Sequence, residues 1–411
     1  MTQSPDDRHH RVVVVGGGAA GIGFSAALRR RAPDLDIALI EPSDRHWYQP
    51  AFTLVGGGCY PLERTVRDQA DLIPPGVTWI RAAAESFDAD SRAVILADGR
   101  RVGYDRLVLC PGLQLDWDAV EGLPETLGRN GVASNYDPAT AAYTWDCLRD
   151  LRHGRALFTQ APMPIKCPGA PQKIAYLAAD HLRRVGRRHA VDIEFATAGE
   201  ALFSVPAFVA PLQAVAERHG IGLRYRKNLI AVDGERGRAR FRVADDAGGT
   251  REVEEAFDFL HVTPPQSAPD VIKRSPFANE AGWVDVDPRT LRHPRYPEVF
   301  GLGDAGSTPN SKTAAAVRSQ IPVVRDNLLA GLDGDDAPAA YDGYGACPVT
   351  TARGRVLLAE FRYGGEVTPS FPLDPTRERR SMWHFKKDFL PWFYWNWLLK
   401  GRTWDIGHRP Y

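Results

Sequence analysis

Cysteine is scarce in this sequence and shows no pairing pattern. Five residues (Cys59, Cys110, Cys147, Cys167 and Cys347) occur in 411, an odd number with no C-x-x-C and no His/Cys cluster. That argues against a disulfide scaffold and a structural zinc site, and no metal is expected. Net charge is missing too: fifty-one basic residues offset fifty-one acidic ones, so no overall field draws in nucleic acid, and none is expected as a partner. No run of about 18 uncharged apolar residues occurs, so no bilayer-spanning helix is expected. The first ten residues are polar, and the apolar run Val12 to Val15 is closed at once by glycines. It reads as a strand rather than a signal peptide, and the protein is expected to stay on the cytoplasmic side.

The length accommodates two or three domains, and 44% hydrophobic content supports a sizeable core. "RVVVVGGGAAGIGFSAALRRR" reads as a buried strand, a glycine turn and a helix with Ile22, Ala26 and Leu28 on its packed face. Gly16, Gly18 and Gly21 stand in G-x-G-x-x-G register, with Ala19 and Ala20 between them and Glu41 at the end of the next strand. Glycines let the backbone approach a pyrophosphate at a helix N-terminus, and the carboxylate can accept ribose hydroxyls. In "VFGLGDAG" an apolar strand ends in Gly303 and Asp304. In many flavoproteins with two dinucleotide folds such an aspartate contacts the ribityl chain, so FAD is expected over NAD; a simple helix cap is the alternative. Lys312, at the start of the next helix, could place a cation near the flavin pyrimidine or be a solvated surface lysine. Gln49 and Ala84 are weaker candidates for isoalloxazine and adenine contacts, with packing as the alternative.

The expected fold class is α/β, with two Rossmann-like dinucleotide-binding units and a C-terminal segment. Residues 1–115 give the first part of the FAD-binding domain, with short strands and hairpin turns from about Trp79. Residues 116–290 form a second α/β unit that carries Cys167. Residues 291–340 return to the first unit, and 341–411 form a separate region with Cys347. Where a nicotinamide-dependent protein would carry a glycine loop, the second unit has Met163 to Pro171 with Cys167 inside it.

Cys167 precedes a helix start and follows Lys166, conditions that favour a thiolate. An inert buried thiol is the alternative. Cys347 lies among Gly343, Gly345 and Pro348, which is turn chemistry. Only the fold could bring the two together. Cys110 looks like core or flavin-edge packing, and Cys59 and Cys147 look structural.

The stretches "EPSDRHWYQP", "PIKCPGAPQKIAYL", "LHVTPP", "RYPEVFGLGD", "SKTAAAV", "YDGYGACP" and "FPLDPTRERRSM" resemble the sulfide:quinone oxidoreductases, in the branch that includes the mitochondrial enzyme. The resemblance runs from the first strand almost to the C-terminus. It implies an FAD enzyme of the disulfide-reductase-like fold in which Cys167 and Cys347 are catalytic. Sulfide would attack their oxidised bridge, Cys347 would hold the persulfide, and Cys167 would deliver electrons to FAD. The sulfane sulfur would leave to glutathione, sulfite or cyanide, or grow into polysulfide, and two electrons would reach ubiquinone or another membrane quinone. No third cysteine matches the one that other branches use. His46 and His261 fall in matching stretches and could assist proton transfer or be structural. The rivals are a type-two NADH:quinone oxidoreductase and a non-catalytic flavin-loaded redox sensor.

Between Trp383 and Tyr411 lie five of the ten tryptophans, interleaved with Phe385, Phe389, Phe393 and Tyr394. From Arg377 onward eight Lys or Arg face three Asp or Glu, a local excess of five positive charges. Aromatics favour the bilayer interface and the charge favours anionic lipid. Pro391 divides the run into pieces too short to span. The expectation is a monotopic, peripheral protein on the inner face of the cytoplasmic membrane, with Phe361, Tyr363 and Phe385 as candidates to flank the quinone; packing on the body is the alternative. The sequence is also compatible with a homo-oligomer.

Overall fold

Four consecutive valines, Val12 to Val15, are almost fully buried and form the centre of the first sheet. β-branched residues in an unbroken apolar run suit a strand covered on both faces. The computed structural model describes residues 8–246, 248–335 and 339–402. The strand Arg8–Val15 lies between Ile37–Ile40 and Arg101–Leu109, parallel to both, and Val77–Ile80 continues the parallel sheet beyond Ile37–Ile40. Arg101–Leu109 does double duty. Its first residues pair antiparallel with Ala93–Leu96, its last pair parallel with Val299–Gly301, and Ala84–Asp88 completes the antiparallel meander. The hairpins expected after Trp79 therefore begin one strand later, because Val77–Ile80 joins the parallel sheet.

The helix Ala19–Arg31 is buried continuously from Ala20 to Leu28, including Gly21, Gly23 and Ser25, so burial extends well beyond the packed face read from the sequence. Small residues make this possible: sheet on one side and the helix Ala314–Asp333 on the other approach closely.

The second sheet orders Val132–Ala133, Phe259–His261, Gly154–Gln160, Val191–Thr197 and Gly222–Arg224, all parallel. A three-stranded antiparallel sheet, Lys227–Asp233, Arg238–Ala244 and Thr250–Ala256, is tied to it by the buried amine of Lys227, which reaches Glu194 and Glu255 at 2.5 and 2.7 Å.

The C-terminal part has no core of its own among the described residues. The hairpin Gly345–Ala352 and Arg355–Phe361 shares one core with the helix Ala170–Arg184 through Val349, Leu357, Ala359, Ile174 and Leu177. The aromatic run then returns to the first unit. Phe393, Tyr394, Leu398 and Leu399 join the core of Phe24, Leu28 and Ile321, leaving Trp392 on the outside at 52% exposure. Trp404 and the residues after 402 lie outside the described residues.

Leu399→Ala is expected to lower stability by about 2–5 kcal/mol in urea unfolding, since it empties a buried site. Trp392→Ala should change it by less than about 0.5 kcal/mol. Equal effects would mean that the run is not anchored in this core.

Candidate active site

A cavity of about 820 Å³ runs past the glycine turn, the cysteines and the aromatic run, a volume typical of cofactor and ligand sites. Of the expected cofactor contacts, Gly16, Gly18, Ala19, Ala20, Glu41, Gln49, Gly303, Asp304 and Lys312 line it. At Gly16 φ is +102°, and a Cβ there would collide with the Cys110 carbonyl, so the turn requires glycine. At Gly18 nothing lies within 4 Å of where a Cβ would be, which leaves backbone open to a pyrophosphate. Glu41 accepts from Gly17 N at 2.7 Å and from Ser43 N at 2.8 Å, which fixes the carboxylate beside the turn. Asn135 faces the same cavity with its side-chain oxygen and nitrogen buried and unpartnered. These features fit a dinucleotide of the FAD type.

Two expected contacts are placed elsewhere. Gly21 packs behind the turn, where a Cβ would strike the Gly16 carbonyl. Ala84 pairs with Leu96 in the antiparallel meander and does not line the cavity, because the chain leaves the parallel sheet before reaching it.

Lys312 is a half-buried cation on the cavity wall. Its Nζ donates to the Asp304 and Gly306 carbonyls at 2.6 and 3.0 Å and lies 3.9 Å from the Trp283 ring centroid. Burial pulls its pKa down to about 8. Burial also raises the Asp304 carboxyl, against the pull of Lys312 and Lys166. Lys166 donates to Gln49 Oε1 at 2.8 Å.

The two cysteines meet. Cys167 Sγ and Cys347 Sγ are 3.9 Å apart across 180 positions of sequence. Cys167 sits on the cavity wall in a left-handed conformation, φ +48°, that a non-glycine residue adopts at a cost of order 1–3 kcal/mol. Its N–H donates to the Lys312 carbonyl at 3.0 Å, and its own carbonyl accepts from Ala170 N at the helix start. Lys173 Nζ, buried, donates to Cys167 Sγ at 3.1 Å. Hydrogen bonding from Cys347 and the Lys173 ammonium hold the Cys167 thiol well below its ordinary range, against the cost of burial. Cys347, only 1% exposed, is held well above it by the same contact with Cys167 and by burial. Burial works against charge on Lys173, but the Cys167 and Cys347 sulfurs outweigh it and its ammonium is favoured. A second buried lysine, Lys386, donates to the Pro348 carbonyl at 2.9 Å from a π-helical turn over Phe385–Phe389. Burial and the neighbouring Lys173 charge push it towards the neutral amine. Gly169 gives the pair its room, since a Cβ there would sit 2.5 Å from Cys347 Sγ.

Lys166 therefore is not the partner of Cys167; the nearer cation is Lys173, on the helix. Neither histidine titrates near neutrality, because burial pulls His46 to about 4 and His261 to about 3. His46 instead bonds Tyr394 Oη at 2.6 Å and ties the aromatic run to the glycine turn through the Gly17 carbonyl at 3.1 Å. Cys110 is a buried thiol raised by burial, Cys59 is raised to about 11, and Cys147 is raised as well, in keeping with structural roles. Phe385 lines the cavity, whereas Phe361 packs on Phe203, and Tyr363 packs on Tyr341 and donates to the Pro288 carbonyl. Lys173, Lys386 and Glu360 are functional candidates that sequence reasoning missed. A lysine inside the apolar stretch of "QKIAYLAA" was the one available signal.

Residues 10–142 match the family described as pyridine nucleotide-disulphide oxidoreductase. The chain is 41% identical over 393 residues to the mitochondrial sulfide:quinone oxidoreductase of Mus musculus, covering 96% of this chain and 87% of that protein. It is 40% identical over 387 residues to the mitochondrial sulfide:quinone oxidoreductase of Dictyostelium discoideum, covering 93% and 84%. The fold is similar to that of the sulfide:quinone oxidoreductase of Aquifex aeolicus, with a TM-score of 0.81 at 23% identity, covering 96% of this chain and 92% of that one.

Replacing Lys173 by Met should raise the pH at which Cys167 of the reduced protein becomes reactive to iodoacetamide by about 1–3 units, because the cation that favours its thiolate is gone. An unchanged alkylation profile would contradict the ion pair.

Proposed function

The chain belongs to the sulfide:quinone oxidoreductase family, and from that premise we propose that Cys167 and Cys347 are its sulfur-carrying pair. It is an FAD-dependent enzyme whose substrates are sulfide and a quinone. The observation that carries the assignment of the pair is the meeting of two sulfurs at 3.9 Å, one of them, Cys167, on the wall of the cofactor cavity beside a buried ammonium.

In the reading we favour, sulfide attacks an oxidised Cys167–Cys347 bridge. The bridging S–S bond breaks, a new S–S bond forms on Cys347 as a persulfide, and Cys167 departs as a thiolate carrying the electron pair. Lys173 stabilises that thiolate at 3.1 Å, which makes Cys167 the better leaving sulfur of the two. A nucleophilic acceptor, glutathione, sulfite or cyanide, takes the outer sulfur and leaves a Cys347 thiolate. Without an acceptor the Cys347 persulfide and the Cys167 thiolate close to a trisulfide as they surrender two electrons, and a further sulfide opens it, so the chain of sulfurs grows to polysulfide at one two-electron oxidation per added sulfur. The two thiolates re-form their bond as they surrender two electrons. Bound FAD supplies the chemistry that accepts this pair and passes it to the quinone. Cys167 lines the cavity and Cys347 does not, which supports the electron-delivering role for Cys167.

We assign the quinone head group to the stretch of cavity walled by Phe371, Phe385, Phe389 and Leu390, whose aromatic lining supports that reading. Among the described residues no helix is long and apolar enough to cross a membrane. Exposed Trp392 and Leu373, at 52% and 41%, flank that stretch in sequence and suit a monotopic contact with the inner face of the cytoplasmic membrane. A quinone dissolved in the bilayer would then enter from the surface on which the enzyme sits. The second unit carries Cys167 where a nicotinamide loop would stand, which argues against NADH as the donor.

Cys167→Ser and Cys347→Ser should each retain FAD and lose sulfide-dependent quinone reduction by roughly 100-fold or more. Anaerobic sulfide should bleach the wild-type flavin absorbance and NADH should not. Wild-type rates in either variant, or bleaching by NADH alone, would overturn the assignment.

A further inference from the structure

The aromatic stretch of the cavity is walled by Leu358, Phe371, Phe385, Phe389 and Leu390. One carboxylate interrupts it. Glu360 lines the cavity and is only 3% exposed, while the other carboxylates on its lining, Glu41 and Asp304, belong to the cofactor stretch. Three donors converge on Glu360. Tyr344 Oη and Ser370 Oγ donate to Oε1 at 2.6 and 2.5 Å, and the Ser370 N–H donates to Oε2 at 2.9 Å. Tyr344 also lines the cavity, with the Arg318 guanidinium 5.4 Å from its ring centroid. Ser370 is exposed to solvent. The three residues thus form a polar link from water, through a buried carboxylate, to a chamber lined largely by aromatic and aliphatic side chains, with Lys386 and Arg318 as the cations on its wall.

We infer that Glu360, with Tyr344 and Ser370, delivers protons to the quinone as it is reduced. This rests on the placement of the quinone in the aromatic stretch. A quinone becomes a quinol by gaining two electrons, which the family's activity supplies, and two protons, for which Glu360 is the one carboxylate on this stretch of the wall. Negative charge arriving in the chamber favours proton uptake by the neighbouring carboxylate. Each proton leaves Glu360 as its carboxyl O–H bond breaks and a phenolic O–H bond forms on the quinol. Water then recharges the carboxylate through the Ser370 hydroxyl, and Tyr344 holds the carboxylate towards the chamber. A purely structural Glu360 would only pin the loop that carries Ser370 and Phe371.

The test compares acceptors in the full-length FAD-loaded Glu360→Gln variant. Reoxidation by decylubiquinone needs protons; reoxidation by ferricyanide takes electrons alone. The expected result is reoxidation by decylubiquinone slowed about tenfold or more, with a larger solvent isotope effect, while ferricyanide reoxidation and sulfide bleaching stay within about twofold of wild type. A smaller loss with decylubiquinone, or an equal loss with ferricyanide, overturns the inference. Phe389→Ala separates the premise from the inference: it should raise the KM for decylubiquinone, and an unchanged KM would remove the placement of the quinone itself. Should Glu360→Gln fail to retain FAD, Tyr344→Phe carries the same comparison, with the same selective loss expected and its absence counting against the relay.

Discussion

The sulfur centre of the site depends on one packing contact, the seating of the strand Gly345–Ala352 on the helix Ala170–Arg184. The loop before that helix carries Cys167, the strand carries Cys347, and the helix itself brings Lys173 between them. The interface is apolar, built from Val349, Leu357, Ile174 and Leu177, and close packing of such residues fixes side-chain positions to within fractions of an ångström. Gly169 sets the closest approach, since any larger residue would push the Cys347 sulfur aside. A loop–loop meeting of the two cysteines would not hold 3.9 Å with comparable definition.

That same packing produces the electrostatics. A buried ammonium is tolerable only beside compensating charge, and Lys173 finds it in the Cys167 sulfur. Lys386, which donates to the Pro348 carbonyl, feels the same sulfurs, but burial and the Lys173 charge outweigh them and drive it towards neutrality. Two lysines in one pocket are thus pushed in opposite directions, Lys173 towards the ammonium and Lys386 towards the amine. The asymmetry carries over to the sulfurs, with Cys167 favoured as thiolate and Cys347 as thiol, which matches leaving and accepting roles in sulfur transfer.

The first half of the cofactor site was legible in the sequence because it is local. Strand, glycine turn, helix and Glu41 lie within a few dozen residues, and Gly16 and Gly21 each have a steric reason. The two cysteine stretches were legible only by resemblance; nothing in their spacing says that they meet. Lys173 was hidden because a lone lysine on a helix has solvent as its ordinary partner, whereas the hairpin arriving from 170 residues later covers this one. The aromatic run shows the same limit. Its composition reads as a membrane contact, yet Phe393, Tyr394 and Leu398 pack on the first unit and the His46–Tyr394 bond ties them to the glycine turn, so only part of the run is left to face outward. Ala84 lies off the cavity wall for the opposite reason, an unseen strand pairing that places it in the antiparallel meander.

The most direct measurement is peptide mass analysis of the protein after anaerobic treatment with sulfide in the absence of acceptor, trapped with an alkylating reagent. The account predicts an additional sulfur on the peptide that carries Cys347 and an unmodified, alkylatable thiol at Cys167. Added sulfur confined to Cys59, Cys110 or Cys147, or found on none of the five cysteines, would contradict it.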